Sequence, residues 1–134
     1  MTGSRGTHDG GRALIEVTTT ASVDQIVASV SEAAGMSVFA RVDHAAGARS
    51  AGLQLADEVV LLLGSPRVGT LVMQADARAG LDLPLRVLVW DEQGSTRIAW
   101  RAPEDLARLY DLDGAGDVLA KMGAALRQVV DAAA

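Results

Sequence analysis

The sequence predicts an α+β domain, a two-layer sandwich in which a mostly antiparallel sheet carries helices on one face. Short segments rich in β-branched residues alternate along the chain with segments of helical apolar spacing. Residues 85–91 and 95–101 flank Gln93-Gly94 as the two strands of a hairpin, which requires antiparallel pairing. With 134 residues, of which 49% are hydrophobic, the chain has the length and apolar content of one domain with one core.

The first predicted strand covers residues 12–19, where β-branched side chains concentrate. Residues 1–11 before it are rich in Gly, Ser and Thr, so we expect a disordered tail ahead of a single domain over residues 12–134. Ser22 with Gln25 three positions later forms a capping box. This pattern predicts that a helix begins there and that Gly35 ends it.

Residues 36–43 alternate in the manner of a strand, which predicts that apolar side chains share one face: Met36, Val38, Ala40 and Val42. Asp43 is placed to cap a short helix over residues 44–51, and Gly52 is placed to end it. The next strand, residues 58–63, is apolar without alternation, which indicates a strand covered on both faces.

Ser65 and Pro66 occupy the N-cap and first helical positions that these residue types favour, so a helix begins there and continues to about Arg78. In the hairpin that follows, pairing of Glu92 with Ser95 turns one set of apolar side chains toward the helices: Leu85, Val87, Val89, Ile98 and Trp100. Pro103 begins another short helix, and residues 118–130 carry the apolar stripe of the last one.

Composition argues against several classes of function. The chain has no cysteine, which excludes disulfides, thiolate metal sites and a cysteine nucleophile. A net charge of −5 without a basic run argues against nucleic-acid binding, and no apolar run approaches the roughly 18 residues of a membrane span. One histidine outside the tail and scattered carboxylates do not make a metal site. We therefore expect a soluble, cytoplasmic protein without metal, cofactor, nucleic-acid or membrane partner.

Several short motifs follow one another in a familiar order: Asp43-His44-Ala45-Ala46, Gly52-Leu53-Gln54-Leu55, Leu63-Gly64-Ser65-Pro66, Gly69-Thr70-Leu71-Val72-Met73-Gln74, Leu81-Asp82-Leu83-Pro84-Leu85, and Glu92 with Gly94. Together they resemble the domain-of-unknown-function 302 family over residues 16–109. That family usually has Phe-Gly-Asn-Pro at the third motif, where Ser65 can replace Asn as an N-cap. The resemblance implies a two-layer α+β fold that tends to dimerise, and it brings no established reaction.

His44 is the only candidate catalytic residue, because a histidine can act as a general base near neutral pH. The alternative is a residue of the first helical turn that makes a structural hydrogen bond, and both interpretations stay open. Gly64 and Ser65 precede a helix whose free N–H groups and dipole favour anions, and Arg67 adds positive charge. We predict His44, Gly64, Ser65 and Arg67 as ligand-binding residues for a small molecule or anion; a plain capped helix is the alternative for the turn.

Leu88, Trp90 and Arg97 are predicted to lie on the sheet face that points away from the helices. A large aromatic side chain on an open face needs a cover, and Trp is enriched in protein interfaces. We predict a homodimer through these three residues, with Arg97 stacked on Trp90. Cover by a loop or a terminus of the same chain is the alternative.

The expected function is a dimeric module, non-enzymatic or without an assigned reaction, that binds a small molecule or another protein. The alternative is a hydrolase or isomerase that uses His44 as general base with Ser65 nearby. A shared cleft holding His44 and Ser65 within hydrogen-bond reach would favour the enzyme. An apolar cavity lined by Trp90 or Phe39 would favour the small-molecule binder, and a flat, closed surface would favour the interaction protein.

Overall fold

A computed structural model describes residues 14–134, so the tail predicted at residues 1–11 lies outside the described residues. The described chain forms one antiparallel sheet in the order β1-β5-β4-β3-β2. Its strands are β1 (Leu14–Thr19), β2 (Ser37–Asp43), β3 (Glu58–Gly64), β4 (Leu85–Glu92) and β5 (Ser95–Arg101). Its helices are α1 (Val23–Ser31), α2 (His44–Ser50), α3 (Pro66–Ala75) and α4 (Gly116–Ala133), with 3-10 helices at Ala77–Asp82 and Pro103–Arg108.

One core joins one face of the sheet to α1, α3 and α4. Alternate residues of the three central strands are buried in it: Val59, Leu61, Leu63, Leu85, Val87, Val89, Ile98 and Trp100. Ile26 on α1, Val72 on α3 and Leu126 on α4 are fully buried against them. The predicted α+β class, with a sheet layer and a helix layer, is confirmed.

The predicted capping box of Ser22 with Gln25, the Asp43 cap and the Gln93-Gly94 turn are confirmed, whereas α1 ends at Ser31, with Glu32 as its C-cap, and not at Gly35. The Asp43 carboxylate accepts a hydrogen bond from the Ala46 N–H at 2.9 Å and so caps α2. In the hairpin, Glu92 pairs with Ser95, and the two turn residues Gln93 and Gly94 have φ of 55° and 88°. Positive φ at both positions is the requirement of a type I′ turn, whose twist matches that of the strands.

The α3 boundary differs from the prediction. The helix ends at Ala75 and not at Arg78, because Asp76 is extended and its carboxylate caps the following 3-10 helix by accepting from the Arg78 N–H at 3.0 Å. An Asp side chain that bonds nearby backbone competes in this way with continuation of the helix.

The prediction that β3 is covered on both faces is wrong. Its residues alternate, with Val59, Leu61 and Leu63 buried against the helices and Val60 and Leu62 only half-buried on the other face. The run lacks alternation because apolar side chains occupy both faces, although the core lies on only one. The face opposite the core is called the open face below.

The predicted alternation of β2 is also wrong, because a β-bulge at Phe39 changes the register. Val38 pairs with Leu63, which faces the core, whereas Ala40 pairs with Leu62, which lies on the open face. Directly paired residues share a face, so the extra residue moves Ala40 and Val42 away from the face that holds Val38. The bulge also places Phe39 beside Gly64: a Cβ on that glycine would lie 3.9 Å from the Phe39 ring.

Candidate functional site

An apolar cavity of about 350 Å³ lies where the end of β3, the start of α3 and the middle of α4 meet. Large apolar side chains form most of its wall: Met36, Phe39, Val68, Met73, Leu83, Leu85 and Met122. Small residues leave room between them, and the other lining residues are Gly35, Gly64, Ser65, Pro66, Gly69, Pro84, Lys121 and Ala125. This lining includes no carboxylate, and Lys121 is its single charged residue.

A second concavity, of about 630 Å³, is bounded by residues 49–56 alone. All of these residues are exposed and belong to one continuous segment. It therefore has one wall and does not enclose a ligand, so the smaller apolar cavity is the candidate site.

The start of α3 forms one edge of the cavity through Ser65 and Pro66. The Ser65 hydroxyl oxygen accepts a hydrogen bond from the Val68 N–H at 3.4 Å, and the Gly69 N–H donates to the Ser65 carbonyl at 2.9 Å. Proline has no N–H. The Arg67 N–H is therefore the one first-turn donor without a described backbone or capping bond, and the predicted anion role of this turn stays a prediction.

The segment that brings Leu83 and Pro84 to the cavity is held to the rest of the chain by polar contacts. The Asp76 carboxylate accepts from the Arg78 guanidinium at 2.8 Å and from the Asp111 N–H at 2.9 Å. These bonds, that from Arg78 foremost, hold the pKa of Asp76 well below its usual range. The Tyr110 hydroxyl donates to the Asp82 carboxylate, and this bond raises the pKa of Tyr110. One wall of the cavity is thus tied to the loop that precedes α4.

His44 lies at the other end of the sheet from this cavity. It begins α2 directly after Asp43, which pairs with Val59, whereas Ser65 follows the opposite end of β3. Six residues of extended strand separate the two positions by about 20 Å. The alternative in which Ser65 lies near His44 does not fit this arrangement, because antiparallel pairing of β2 with β3 places the two residues at opposite ends of β3. His44 itself is exposed.

The predicted ligand-binding residues thus divide into two groups. Gly64 and Ser65 line the cavity, while His44 and the exposed Arg67 are not part of its lining. Phe39, which was expected to distinguish a binder from an enzyme, lines the cavity, and Trp90 does not. Across residues 14–134, no three His, Asp or Glu side chains are grouped so that they could hold a metal ion.

Leu88, Trp90 and Arg97 lie on the open face, as predicted, and all three are partly buried. The Trp90 indole N–H donates to Glu92 at 3.0 Å. Arg97 is held by carboxylates, with the Glu16 oxygen at 3.0 Å and the Glu92 oxygen at 3.7 Å. The predicted stacking of Arg97 on Trp90 is not found in residues 14–134, because Glu16 and Glu92 hold the guanidinium. The cation–π contact described there is between Arg127 and Trp100, with the guanidinium carbon 5.6 Å from the ring centre.

Met36, Met73, Lys121 and Met122 were not predicted as site residues. Helical spacing marks Met122 as a core residue, and no local pattern distinguishes a methionine in a packed core from one in a cavity wall. The sequence feature that could have indicated the site is Lys121, the single lysine of the chain, which lies beside the apolar stripe of α4.

Comparison with known proteins gives a consistent family and fold. The sequence profile of DUF302, a domain of unknown function, matches residues 15–133. A crystal structure of the uncharacterized conserved protein DUF302 from Bacillus stearothermophilus superposes with a TM-score of 0.81 at 18% identity, covering 90% of this chain and 98% of that one. This similarity establishes the shared fold.

Two curated relatives carry the name fluoride-specific ion channel FluC 1. The protein of Brucella suis biovar 1 (strain 1330) is 41% identical over 96 residues, which are 71% of this chain and 38% of that protein. The protein of Brucella abortus biovar 1 (strain 9-941) is 41% identical over the same length, 36% of its own chain. The similarity thus spans well under half of either relative.

Proposed function

This chain belongs to the DUF302 family, and from that premise we propose that it is a binding module for a small, largely apolar molecule held in the cavity beside α3 and α4. The observation that carries the proposal is a cavity of about 350 Å³ with apolar walls and few polar groups. Sites for small molecules in proteins are concave, mostly apolar and about 300–1,000 Å³ in volume.

The physical reason to expect a ligand is the cost of leaving these walls uncovered. A concave surface with apolar walls that is open to solvent is typical of a small-molecule site. Phe39 is 49% exposed and Met73 is 37% exposed at the cavity. A ligand that covered such surface would gain about 25 cal/mol for each Å² removed from water.

Gly69 supports the same conclusion. It lies inside α3, where glycine costs about 1 kcal/mol relative to alanine. A Cβ at this position would meet no atom within 4 Å, so no neighbour in the fold requires a glycine there. Because Gly69 lines the cavity, a larger side chain would enter it; glycine keeps the space open.

The test is binding of a neutral apolar fluorescent probe, N-phenyl-1-naphthylamine, to the intact protein and to Gly69→Leu. We expect saturable fluorescence enhancement for the unaltered chain and at least about a tenfold weaker signal for Gly69→Leu, because the leucine occupies the cavity. Gly47→Leu is the matched control, since Gly47 is also a helical glycine with nothing within 4 Å and does not line the cavity. Cooperative thermal melting shows that both variants are folded. If folded Gly69→Leu bound the probe as well as folded Gly47→Leu, the proposal would be contradicted.

The proposed assembly is a homodimer through the open face. Val42, Val60, Leu62, Leu88 and Trp90 form an apolar area there, and Val42 is 44% exposed. Arg and Glu side chains flank it, including Arg97 with Glu16, so a two-fold related copy could place opposite charges together. Light scattering tests this proposal, and Leu88→Glu should halve the measured mass. The dimer would be refuted if the substitution left the mass unchanged or if the unaltered chain had the mass of a monomer.

A second candidate role follows from the named relatives. An ion channel must cross the membrane, and no helix in residues 14–134 is long and apolar enough to do so. We therefore expect the part of the two Brucella proteins that matches this chain to lie outside the bilayer. On this hypothesis the chain is a ligand-responsive partner of a fluoride-transporting membrane protein.

Fluoride sensitivity of cells tests the second role. Deletion of the coding sequence should make growth more sensitive to fluoride than to chloride, and the unaltered chain, but not Gly69→Leu, should restore resistance. Growth in fluoride that does not depend on the chain would remove this candidate and leave the small-molecule proposal standing.

A further inference from the structure

We propose that the molecule held in the cavity is an anionic amphiphile, an apolar chain with a single carboxylate or sulfate head, and that the head lies against the ammonium group of Lys121. This inference rests on the proposed function and names the ligand class that the same site would take.

Lys121 is the one lysine of the chain and lines the cavity from α4. It precedes the buried Met122 and lies one turn before Ala125, both of which also line the cavity. Residues four apart lie on the same side of a helix, so Lys121 and Ala125 face the cavity together. Because Lys121 is exposed, its charge is at the mouth and not in the interior.

The Lys121 charge is not neutralised within the described chain. Arg78, Arg97, Arg108 and Arg127 each lie within 4.0 Å of a carboxylate, but no Asp or Glu in residues 14–134 makes such a pair with Lys121. The cavity lining adds no carboxylate. An anionic head group at the mouth would therefore find a cation that no described carboxylate holds within 4.0 Å, although Asp117 lies one turn before it on α4. The adjacent low-dielectric walls would strengthen the interaction.

Ser65 is the other polar side chain of the cavity lining. Its oxygen accepts the hydrogen bond from Val68, which leaves its own O–H available to donate to an anion. The rest of the lining suits a flexible tail, because Met36, Met73 and Met122 have unbranched side chains that adapt to irregular apolar shapes. The lysine stem can lie along this apolar surface while its ammonium group stays in water.

The experiment compares three ligands with the same twelve-carbon tail: dodecanoate, dodecanol and protonated dodecylamine. Displacement of N-phenyl-1-naphthylamine from the protein by each ligand is measured below the concentration at which dodecanoate or dodecylamine forms micelles and within the solubility of dodecanol. We expect dodecanoate to compete best and dodecylamine worst, with a preference of about three- to fivefold for the acid over the alcohol, as for a partly solvated charge pair. The preference should fall as salt is added.

Variants assign the preference to Lys121. Lys121→Gln should abolish the advantage of dodecanoate over dodecanol and leave dodecanol binding unchanged, while Lys121→Arg should retain it. Arg49→Gln removes the same charge from α2, outside the cavity, and should leave the preference intact.

The outcomes separate this inference from the function on which it rests. Equal displacement by all three ligands, or a preference that survives in Lys121→Gln, overturns the anionic class and leaves an apolar binding site. Probe binding that none of the three displaces also overturns the amphiphile. Absence of probe binding overturns both the inference and the proposed function.

Discussion

Replacing Phe39 with alanine separates a contribution to ligand binding from a contribution to folding. Phe39 sits at the β-bulge of β2, lines the cavity and is 49% exposed. Phenylalanine offers roughly 200 Å² of surface, so about half of it, roughly 100 Å², is available for a ligand to cover. At about 25 cal/mol per Å² this corresponds to about 2.5 kcal/mol, or about a 70-fold loss of affinity for a ligand that covers the whole exposed part.

The same substitution should cost less in stability than it would at a buried position. A fully buried Phe→Ala change costs about 3–5 kcal/mol, and a half-buried ring about half of that. The protein should therefore remain folded, since domains have about 5–15 kcal/mol of stability. Titration with N-phenyl-1-naphthylamine measures the affinity, and urea unfolding of the same samples measures the stability.

Leu53→Ala is the control for Phe39→Ala. Leu53 is also apolar and more exposed, at 66%, but it lies on the segment outside the cavity. Its removal should leave probe affinity unchanged. Affinity within about twofold of the unaltered chain for Phe39→Ala, or an equal loss for Leu53→Ala, would refute the role assigned to the ring.

Three further predictions concern the fold. Gly47→Ala should raise the melting temperature by about 3–5 °C in calorimetry, because a helical Gly costs about 1 kcal/mol and a methyl group there meets nothing within 4 Å; an unchanged or lower value would contradict this. Leu126→Ala, fully buried on α4, should lower the free energy of unfolding in urea by about 2–5 kcal/mol, and a loss below about 1 kcal/mol would argue against the packing described. Because the folded-state pKa of Asp76 is lowered, its carboxylate contributes fully to the free energy of unfolding above the unfolded-state pKa of about 4, and this contribution is lost as the pH falls toward the folded-state value. Asp76→Asn should therefore be less stable than the unaltered chain at neutral pH, and its stability should fall less at acid pH. An equal fall of the free energy of unfolding with pH in the two proteins would contradict this assignment.

Much of the fold could be predicted because its signals are local. The Asp43 cap and the Gln93-Gly94 turn act over two to four residues, so the sequence around them determines their geometry. Strand faces were less predictable. The bulge at Phe39 and the uncovered apolar side chains Val60 and Leu62 depend on neighbouring strands and on which face the helices cover.

The candidate site was mostly hidden from sequence reasoning for a different reason. Its walls come from residues 35–39, 64–73, 83–85 and 121–125, which only the folded chain brings together. The empty volume of a cavity depends on how side chains from distant segments pack, and no local residue pattern predicts it. The alternative that places Ser65 near His44 conflicts with antiparallel pairing of successive strands, which puts those residues at opposite ends.

Three of the chain's four methionines, Met36, Met73 and Met122, line the cavity, which makes methyl NMR the most direct measurement of whether it binds a ligand. Protein labelled with ¹³C at the methionine methyl groups would be titrated with N-phenyl-1-naphthylamine, the neutral probe that tests the proposed function. If the cavity is a binding site, all three resonances should move together and saturate at one equivalent, and Gly69→Leu should abolish the change. Resonances that stay fixed while N-phenyl-1-naphthylamine is added, or that move equally in Gly69→Leu, would contradict a binding function for this cavity.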